Sequence, residues 1–171
     1  MGENIPASVL AHAADRPAER ATFQGVHDRK ITSNNQVSIP DLIKSVLDDA
    51  LESKLVLMRW LREPFLRLYT KSQFDVVIDS VKQNPEFSIE ERALVSGAIS
   101  KAAVPIHPDS QGRFVLPAKW IDTLNFKDKV VFCGLPTFIE VWPAEAYKED
   151  QEAVQQKLEQ LGPKLTNLLN M

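Results

Sequence analysis

The apolar residues of this chain follow two different spacings. Runs of Val, Leu, Phe and Trp that are consecutive or alternate with polar residues are typical of β-strands, and apolar residues three or four positions apart are typical of helices. The first spacing predicts four strands, at Lys54–Trp60, Phe65–Tyr69, Lys129–Cys133 and Thr137–Trp142. The second predicts helices whose apolar positions fall within 42–51, 74–81 and 147–161, and Gly162 and Pro163 are predicted to end the last of them.

The same unit occurs twice in the sequence. Residues 31–40 (ITSNNQVSIP) resemble residues 108–117 (PDSQGRFVLP) at a shift of 77 positions, and residues 64–74 resemble residues 136–147 at a shift of 73. The smaller second shift means that the first copy holds four extra residues, which we expect in the loop near 51–54. Each copy of about 50 residues is too small for a large core of its own. We therefore predict that the two copies interleave into one pseudo-symmetric domain.

The segments outside the repeats have their own signals. Ser88 and Glu91 match a capping box, which predicts that a helix begins between the two copies. The first twenty or so residues are small, polar and Ala-rich, as loosely held termini often are. The predicted order is a flexible N-terminal arm (1–21), the first repeat (22–85), a linker helix (86–98), the second repeat (99–148), and a C-terminal helix and tail (149–171).

The composition excludes several classes of protein. The 171 residues carry a net charge of −3 and are 44% hydrophobic, which argues against a wholly disordered chain. No run approaches the roughly 20 apolar residues that cross a bilayer, and the N-terminus lacks the pattern of a secretory signal. The single cysteine, Cys133, excludes an intramolecular disulfide and a cysteine-based zinc site. We expect a cytoplasmic protein without membrane contact.

Residues that could support catalysis are sparse. The three histidines, His12, His27 and His107, are far apart in sequence, and the six glycines form no phosphate-binding loop. Cys133 lies in the apolar run VVFCGL and is predicted to be a buried core residue rather than a nucleophile. The sequence therefore predicts a protein that is not an enzyme, with no metal, no cofactor and no small-molecule substrate.

Charge is distributed unevenly along the chain. Residues 54–71 carry a net charge of +4, and residues 143–160 carry −3. Arg59 and Arg62 lie in the basic stretch, among strand-forming aromatic residues. Such a stretch can place cations on one face of a sheet, where they would bind phosphate oxygens. The alternative is a polar strand face whose cations pair with acidic side chains of a neighbouring helix or subunit.

Two motifs of the second copy resemble those of a known family. The run Asp109 to Pro117 (DSQGRFVLP) resembles the D-x-x-G-R-x-x-x-P turn and strand of MraZ proteins, and the run FIEVWPAEAY resembles the stretch that precedes a helix in that family. MraZ proteins carry two SpoVT/AbrB-like repeats, and the resemblance covers roughly residues 22–160. It implies an α+β fold, a pseudo-two-fold swapped β-barrel of two such repeats with flanking helices.

The resemblance also implies a function. MraZ proteins are DNA-binding transcriptional regulators of the bacterial division and cell-wall gene cluster, and they act as ring-shaped homo-oligomers. A protein of this kind would be cytoplasmic and nucleoid-associated, with double-stranded DNA and its own copies as partners. Carried over to this chain, the resemblance implies that Asp109 fixes the turn, Gly112 allows its backbone geometry and Arg113 is the main DNA contact. The expected DNA-binding residues are Asp109, Gln111, Gly112, Arg113, Arg29, Lys30, Gln36, Arg59 and Arg62.

The first copy departs from this motif. Thr32 stands in place of Asp109, Asn35 in place of Gly112, and Gln36 in place of Arg113. Asn tolerates a left-handed backbone, so the turn is expected to survive, but its ion pair is lost. Two alternatives stay open at this stage. One is a diverged structural or interaction protein that keeps the oligomer and has lost DNA binding, and the other is a purely structural salt bridge in the second turn.

Overall fold

The computed structural model describes residues 21–170, so the predicted arm lies outside the described residues except for Ala21. The described part of the chain forms eight strands and six helices. The strands are β1 (Val26–Lys30), β2 (Gln36–Ser38), β3 (Leu55–Met58), β4 (Leu66–Thr70), β5 (Ala103–Ile106), β6 (Arg113–Val115), β7 (Lys129–Gly134) and β8 (Ile139–Pro143). The helices are α1 (Asp41–Asp49), α2 (Lys71–Gln83), α3 (Ile89–Ala102), α4 (Ala118–Leu124), α5 (Ala144–Gln160) and α6 (Gly162–Leu169).

The strands form two antiparallel sheets. Six of them lie in the order β1-β7-β8-β4-β3-β5, and β2 pairs only with β6 in a two-stranded ribbon. Helices pack against this framework, so the predicted α+β class is confirmed. Among the described residues, the edge strands β1 and β5 do not pair with each other. The hydrogen-bonded ladder is therefore an open sheet and a ribbon rather than a closed barrel.

The two repeats interleave, as predicted. The first strand of each repeat pairs with the other repeat, β1 with β7 and β5 with β3. The sheet order reads the same from both ends when each strand is replaced by its equivalent in the other repeat. Two pairs of equivalent residues even face each other, Val37 with Phe114 and Arg67 with Glu140. A pseudo-two-fold axis therefore passes between β2 and β6 and between β4 and β8.

Burial on both faces explains why the sequences of the strands β3 and β7 are continuous apolar runs. All four residues of β3 are buried, and so are Val130 to Cys133 of β7. A strand with both faces covered has no need for alternating polar residues. The principal core draws on both repeats, and its side chains with no exposed surface are Leu57, Leu66, Leu68, Val130, Phe132 and Val141.

Helix boundaries agree with the sequence at some ends and not at others. The Ser88 side chain accepts a hydrogen bond from the Glu91 backbone N–H (3.1 Å), and the Glu91 carboxylate accepts one from the Ser88 N–H (2.8 Å), so the predicted capping box is confirmed. Gly162 and Pro163 follow the end of α5, but they also begin α6, because proline is well tolerated in the first turn of a helix. The predicted tail after Gly162 is therefore helical through Leu169.

The four extra residues of the first repeat do not all lie near 51–54. In the first hairpin Leu57 pairs with Leu68, eleven positions along the chain, whereas in the second Phe132 pairs with Val141, nine positions along. Two of the extra residues therefore lie in the hairpin between β3 and β4. The equivalent strands of the two hairpins still pair in the same way, because a hairpin loop can change length without moving its strands.

Candidate nucleic-acid interface

The turn between β5 and β6 is organised by one carboxylate. The Asp109 Oδ1 accepts hydrogen bonds from the backbone N–H groups of Gln111 and Arg113, both at 2.9 Å, and its Oδ2 accepts one from the Arg113 Nε at 2.8 Å. Gly112 has φ of 74°, and its N–H donates to the Asp109 carbonyl oxygen at 2.9 Å. This left-handed φ is the geometry that glycine adopts without strain. The turn therefore holds both the backbone and the side chain of Arg113 in place.

The electrostatics of this turn keep the carboxylate charged. The Arg113 backbone N–H, followed by the Arg113 guanidinium, lowers the pKa of Asp109 below its usual range. Both side chains reach water, with 43% of the Arg113 side chain and 38% of the Asp109 side chain exposed. Within residues 21–170, the Arg113 side chain hydrogen-bonds only to Asp109, and only through Nε. The two terminal amino groups of the guanidinium are therefore available to an incoming acceptor.

The first turn has the same backbone and lacks the ion pair. The Thr32 hydroxyl accepts a hydrogen bond from the Gln36 N–H at 3.0 Å, as Asp109 does from Arg113. The Asn35 N–H donates to the Thr32 carbonyl oxygen at 2.9 Å, and Asn35 has φ of 59°. The expectation that asparagine preserves this turn is confirmed. What the first repeat has lost is a charged pair, while its turn geometry is intact.

This equivalence gives a stability prediction at Gly112. Gly112→Ala is expected to destabilise the fold by about 1–2 kcal/mol, because alanine is strained at positive φ. Gly112→Asn should cost less, since Asn35 already holds the same conformation in the first repeat. Urea unfolding would measure both, with Gly97→Ala as the control, because Gly97 lies within α3 with open space around it. Equal losses for alanine and asparagine would contradict the argument from backbone strain.

The ribbon carries its polar residues on one side. Val37 and Phe114 are buried beneath it, whereas the alternating positions Gln36, Arg113 and Val115 are partly or fully exposed. Gln36 faces Val115 in the ladder, and Arg113 faces Ser38, so the two turns lie at opposite ends of the ribbon. A two-stranded β-ribbon is one of the two elements that fit the DNA major groove. The outer face of this ribbon is thus narrow, carries Gln36 and Arg113 beside the exposed Val115, and is flanked by two equivalent turns.

A cluster of cations lies beside the first turn. Lys30, the last residue of β1, faces Lys129, the first residue of β7, and Arg29 precedes Lys30. Like charges directly opposite each other in a ladder are destabilising. Among the described residues, none of the three cations forms an ion pair, and a bound anion would relieve the repulsion between Lys30 and Lys129. Sequence reasoning missed Lys129, which is 99 positions from Lys30 and joins it only through the strand pairing.

The structure does not bring Arg59 and Arg62 to the Asp109 turn. Leu55, at the start of β3, lines the same surface cavity as Asp109, but Arg59 follows the last residue of that strand. Four strand residues span about 13 Å. Part of the basic stretch is also neutralised: Arg67 donates a hydrogen bond to Glu63 (Nε to Oε2, 2.8 Å), and this bond raises the pKa of Arg67 further. The Arg67 guanidinium also lies over the Phe138 ring at 4.6 Å. Arg67 is therefore paired with an acid, but the acid comes from its own hairpin rather than from the neighbouring helix or subunit of the alternative.

The remaining reactive groups support no second chemistry in the described chain. Cys133 is buried, and burial raises the pKa of its thiol to about 11, which confirms the prediction of a core residue. Residues 21–170 hold no group of three His, Cys, Asp or Glu side chains that could bind a metal ion. No helix in that range is both long and apolar enough to cross a membrane.

Comparisons with known proteins agree with the motif. The family model "MraZ protein, putative antitoxin-like" matches residues 99–161. A transcriptional regulator MraZ of Saccharophagus degradans is 26% identical over 128 residues, 73% of this chain and 84% of that protein. A transcriptional regulator MraZ of Clostridium tetani is 26% identical over 146 residues, which are 82% of this chain and 99% of that protein. One from Bacteroides thetaiotaomicron is 22% identical over 148 residues, which are 86% of this chain and 92% of that protein. The chain is therefore similar to MraZ proteins over most of its length.

The family model matches the repeat whose turn has a charged pair. Residues 99–161 contain the intact MraZ turn, with Asp109, Gly112 and Arg113, and the helix α5. The first repeat lies outside that range and is the copy with Thr32 and Gln36. The family model thus matches the repeat with the charged turn, while the MraZ relatives match a longer part of the chain that extends into the first repeat.

Proposed function

We propose that this protein is a transcriptional regulator that binds double-stranded DNA with the outer face of the β2–β6 ribbon. The observation that carries the proposal is the Asp109–Arg113 pair, which holds an exposed guanidinium at the end of that ribbon. The names of the MraZ relatives, transcriptional regulators, support the same class of function.

The turn suits recognition better than a free arginine would. Asp109 binds Arg113 through Nε, so the two terminal amino groups of the guanidinium stay free. These two groups, the arginine fork, can donate a pair of hydrogen bonds to a phosphate or to the edge of a guanine. Because the carboxylate also binds two backbone N–H groups, the fork is fixed before any DNA arrives. Less side-chain entropy is then lost on binding. At the other end of the ribbon, Gln36 supplies an amide that can hydrogen-bond adenine or a phosphate without charge.

Local charge resolves the conflict between DNA binding and a net charge of −3. Phosphate binding depends on the cations near the interface rather than on the total charge. Arg29, Lys30 and Lys129 lie beside the first turn, where the repeat has no arginine of its own. We infer that these three cations contact the DNA backbone on the side of the ribbon where Gln36 lies, and that Gln111 lies at the other side. Arg59 and Arg62 would contact DNA only outside the ribbon, if the DNA backbone extends past the end of β3.

The assembly and the target are part of the same proposal. A ring-shaped homo-oligomer, in which each subunit interleaves the repeats 22–85 and 99–148, would present many ribbons to repeated DNA sites. Linked sites raise the overall affinity far beyond that of one subunit, which compensates for a weakened first turn. The expected targets are the promoter sites of the division and cell-wall gene cluster, in the cytoplasm and at the nucleoid. Light scattering behind a sizing column tests the assembly, and a strictly monomeric protein would contradict it.

A salt series on the wild-type protein tests DNA binding itself. A duplex is selected from a random pool by rounds of binding, and its affinity is then measured by gel shift between about 50 and 200 mM salt. The logarithm of the affinity should fall linearly with the logarithm of salt, by about 0.9 for each phosphate contact. No selected duplex, or no shift at the lowest salt, would overturn the proposal.

One observation favours a second candidate function. The first turn is neutral, and Arg113 already has a partner in Asp109. A diverged protein that keeps the oligomer and binds other proteins instead of DNA would have these same features. An oligomeric protein with no salt-dependent DNA binding would establish this candidate over the first.

A further inference from the structure

An apolar groove runs along helix α2, and none of its lining residues belongs to the β2–β6 ribbon. It has a volume of about 520 Å³, and its apolar walls are formed by Tyr69, Val76, Val77 and Val81 of β4 and α2. Pro136, from the hairpin between β7 and β8, contributes to the opposite wall. A groove of this size and character accommodates several apolar side chains.

This side of α2 is uncovered within residues 21–170. The other side of the helix packs against the sheet and against α3, where Ile78 and Val95 belong to one apolar cluster. Val76, in contrast, faces the groove and keeps 37% of its surface exposed. An exposed apolar wall next to a concave surface costs free energy unless another group covers it.

The described chain begins at the wall of this groove. Ala21 and Thr22 line it, and the Gln73 side-chain amide of α2 donates a hydrogen bond to the Ala21 carbonyl oxygen at 2.6 Å. Ala21 and Phe23 are both buried, with 5% and 4% of their surfaces exposed. The point at which residues 1–20 join the folded domain is therefore fixed at the edge of the groove.

We propose that residues 5–14 of the same chain occupy this groove. Ile5, Val9 and Ala13 recur at four-residue spacing, and Leu10 lies three positions before Ala13, so that the four would present one apolar face. The connecting residues 15–20 (DRPAER) are polar and can span up to about 20 Å, which is enough to reach along α2. The occupant is thus a short apolar segment on a polar tether that starts at the groove. This inference does not depend on the proposed DNA binding.

The tether favours this occupant over a second copy of the protein. A segment joined to the rim by six residues meets the groove at an effective concentration in the millimolar range. A segment from a separate subunit in solution would lack that advantage. Engineered cysteines separate docking within one chain, which gives a disulfide within that chain, from docking between neighbouring subunits of an oligomer, which joins two chains.

Hydrogen exchange on the full-length protein tests the docking. The backbone amides of residues 7–14 should exchange at least tenfold more slowly than an unstructured peptide of the same sequence. Val76→Gln should restore fast exchange in this segment, because it places a polar amide on the groove wall. Leu94→Gln is the matched control: Leu94 is 72% exposed on α3, outside the groove, and its replacement should leave the protection unchanged.

A second measurement identifies the partner of the segment. In a Cys133→Ala background, Leu10→Cys with Val76→Cys should form a disulfide within one chain, and Leu10→Cys with Leu94→Cys should not. Unprotected amides in the wild type, or protection that Val76→Gln leaves intact, would overturn the proposal. Protection that rises with protein concentration, or disulfide-linked dimers, would also overturn it and would assign the groove to a second copy.

Discussion

Arg113→Ala is expected to weaken binding to the selected duplex by about ten- to a hundredfold. A well-placed arginine fork on a guanine edge contributes about 1–3 kcal/mol of discrimination, and 1.4 kcal/mol is a factor of ten. Binding to unrelated duplex should fall much less, because non-specific binding rests on phosphate contacts spread over the interface. The measurement is a gel-shift titration of wild type and variant on both duplexes at the same salt.

Two further variants separate the fork from its charge. Arg113→Lys keeps the positive charge but cannot form a planar, two-pronged contact, so it should recover non-specific binding and not specific binding. Lys148→Ala is the charge-matched control, since it removes one exposed cation from α5 and leaves the ribbon unchanged. Equal effects of Arg113→Ala and Lys148→Ala would mean that only total charge matters, and the proposed role of the turn would then be wrong.

The loss in Arg113→Ala should not come from unfolding. The Arg113 side chain is 43% exposed, and the backbone N–H of residue 113 can keep its bond to Asp109 in the variant. The free energy of unfolding, measured in urea, should therefore change little. The oligomer seen by light scattering should also be the same in wild type and variant.

Local signals in the sequence predicted the strands of both hairpins, the helix starting after Ser88 and the second turn, but not the strands β1 and β5. The strands β3 and β7 could be predicted from continuous apolar runs because both faces of these strands are buried. The Asp109 turn was readable because its whole hydrogen-bonding pattern lies within five consecutive residues. The left-handed Asn35 could likewise be expected, because it follows from the equivalence with Gly112.

Features that depend on pairing between distant strands could not be predicted. Lys30 and Lys129 are neighbours only because β1 crosses to the other repeat, and periodicity along the chain carries no register between strands. The distance between Arg59 and the Asp109 turn could not be predicted either, because it depends on where β3 starts and ends. Arg67 counted toward the basic stretch in sequence, but Glu63 and the Phe138 ring hold it in the structure.

Restoring the charged pair in the first turn is expected to strengthen DNA binding by about tenfold, the effect of one added arginine contact of about 1.4 kcal/mol. In the double variant Thr32→Asp with Gln36→Arg, the new carboxylate would keep the bond to the backbone N–H of residue 36 that the Thr32 hydroxyl makes at 3.0 Å. Its second oxygen would be free to hold the new guanidinium, as Asp109 holds Arg113.

The controls for this gain lie in the same two turns. Gln36→Arg alone should gain less than the double variant, because nothing then fixes the guanidinium before binding. The reverse exchange, Asp109→Thr with Arg113→Gln, gives the second turn the chemistry of the first and should lose as much affinity as Arg113→Ala. A salt series should show a slope about 0.9 steeper for the double variant if the new arginine contacts a phosphate, and an unchanged slope with higher specificity if it contacts a base. If the double variant folds and assembles but binds no better than wild type, the first turn does not touch DNA, and the interface is confined to the half of the ribbon that carries Arg113.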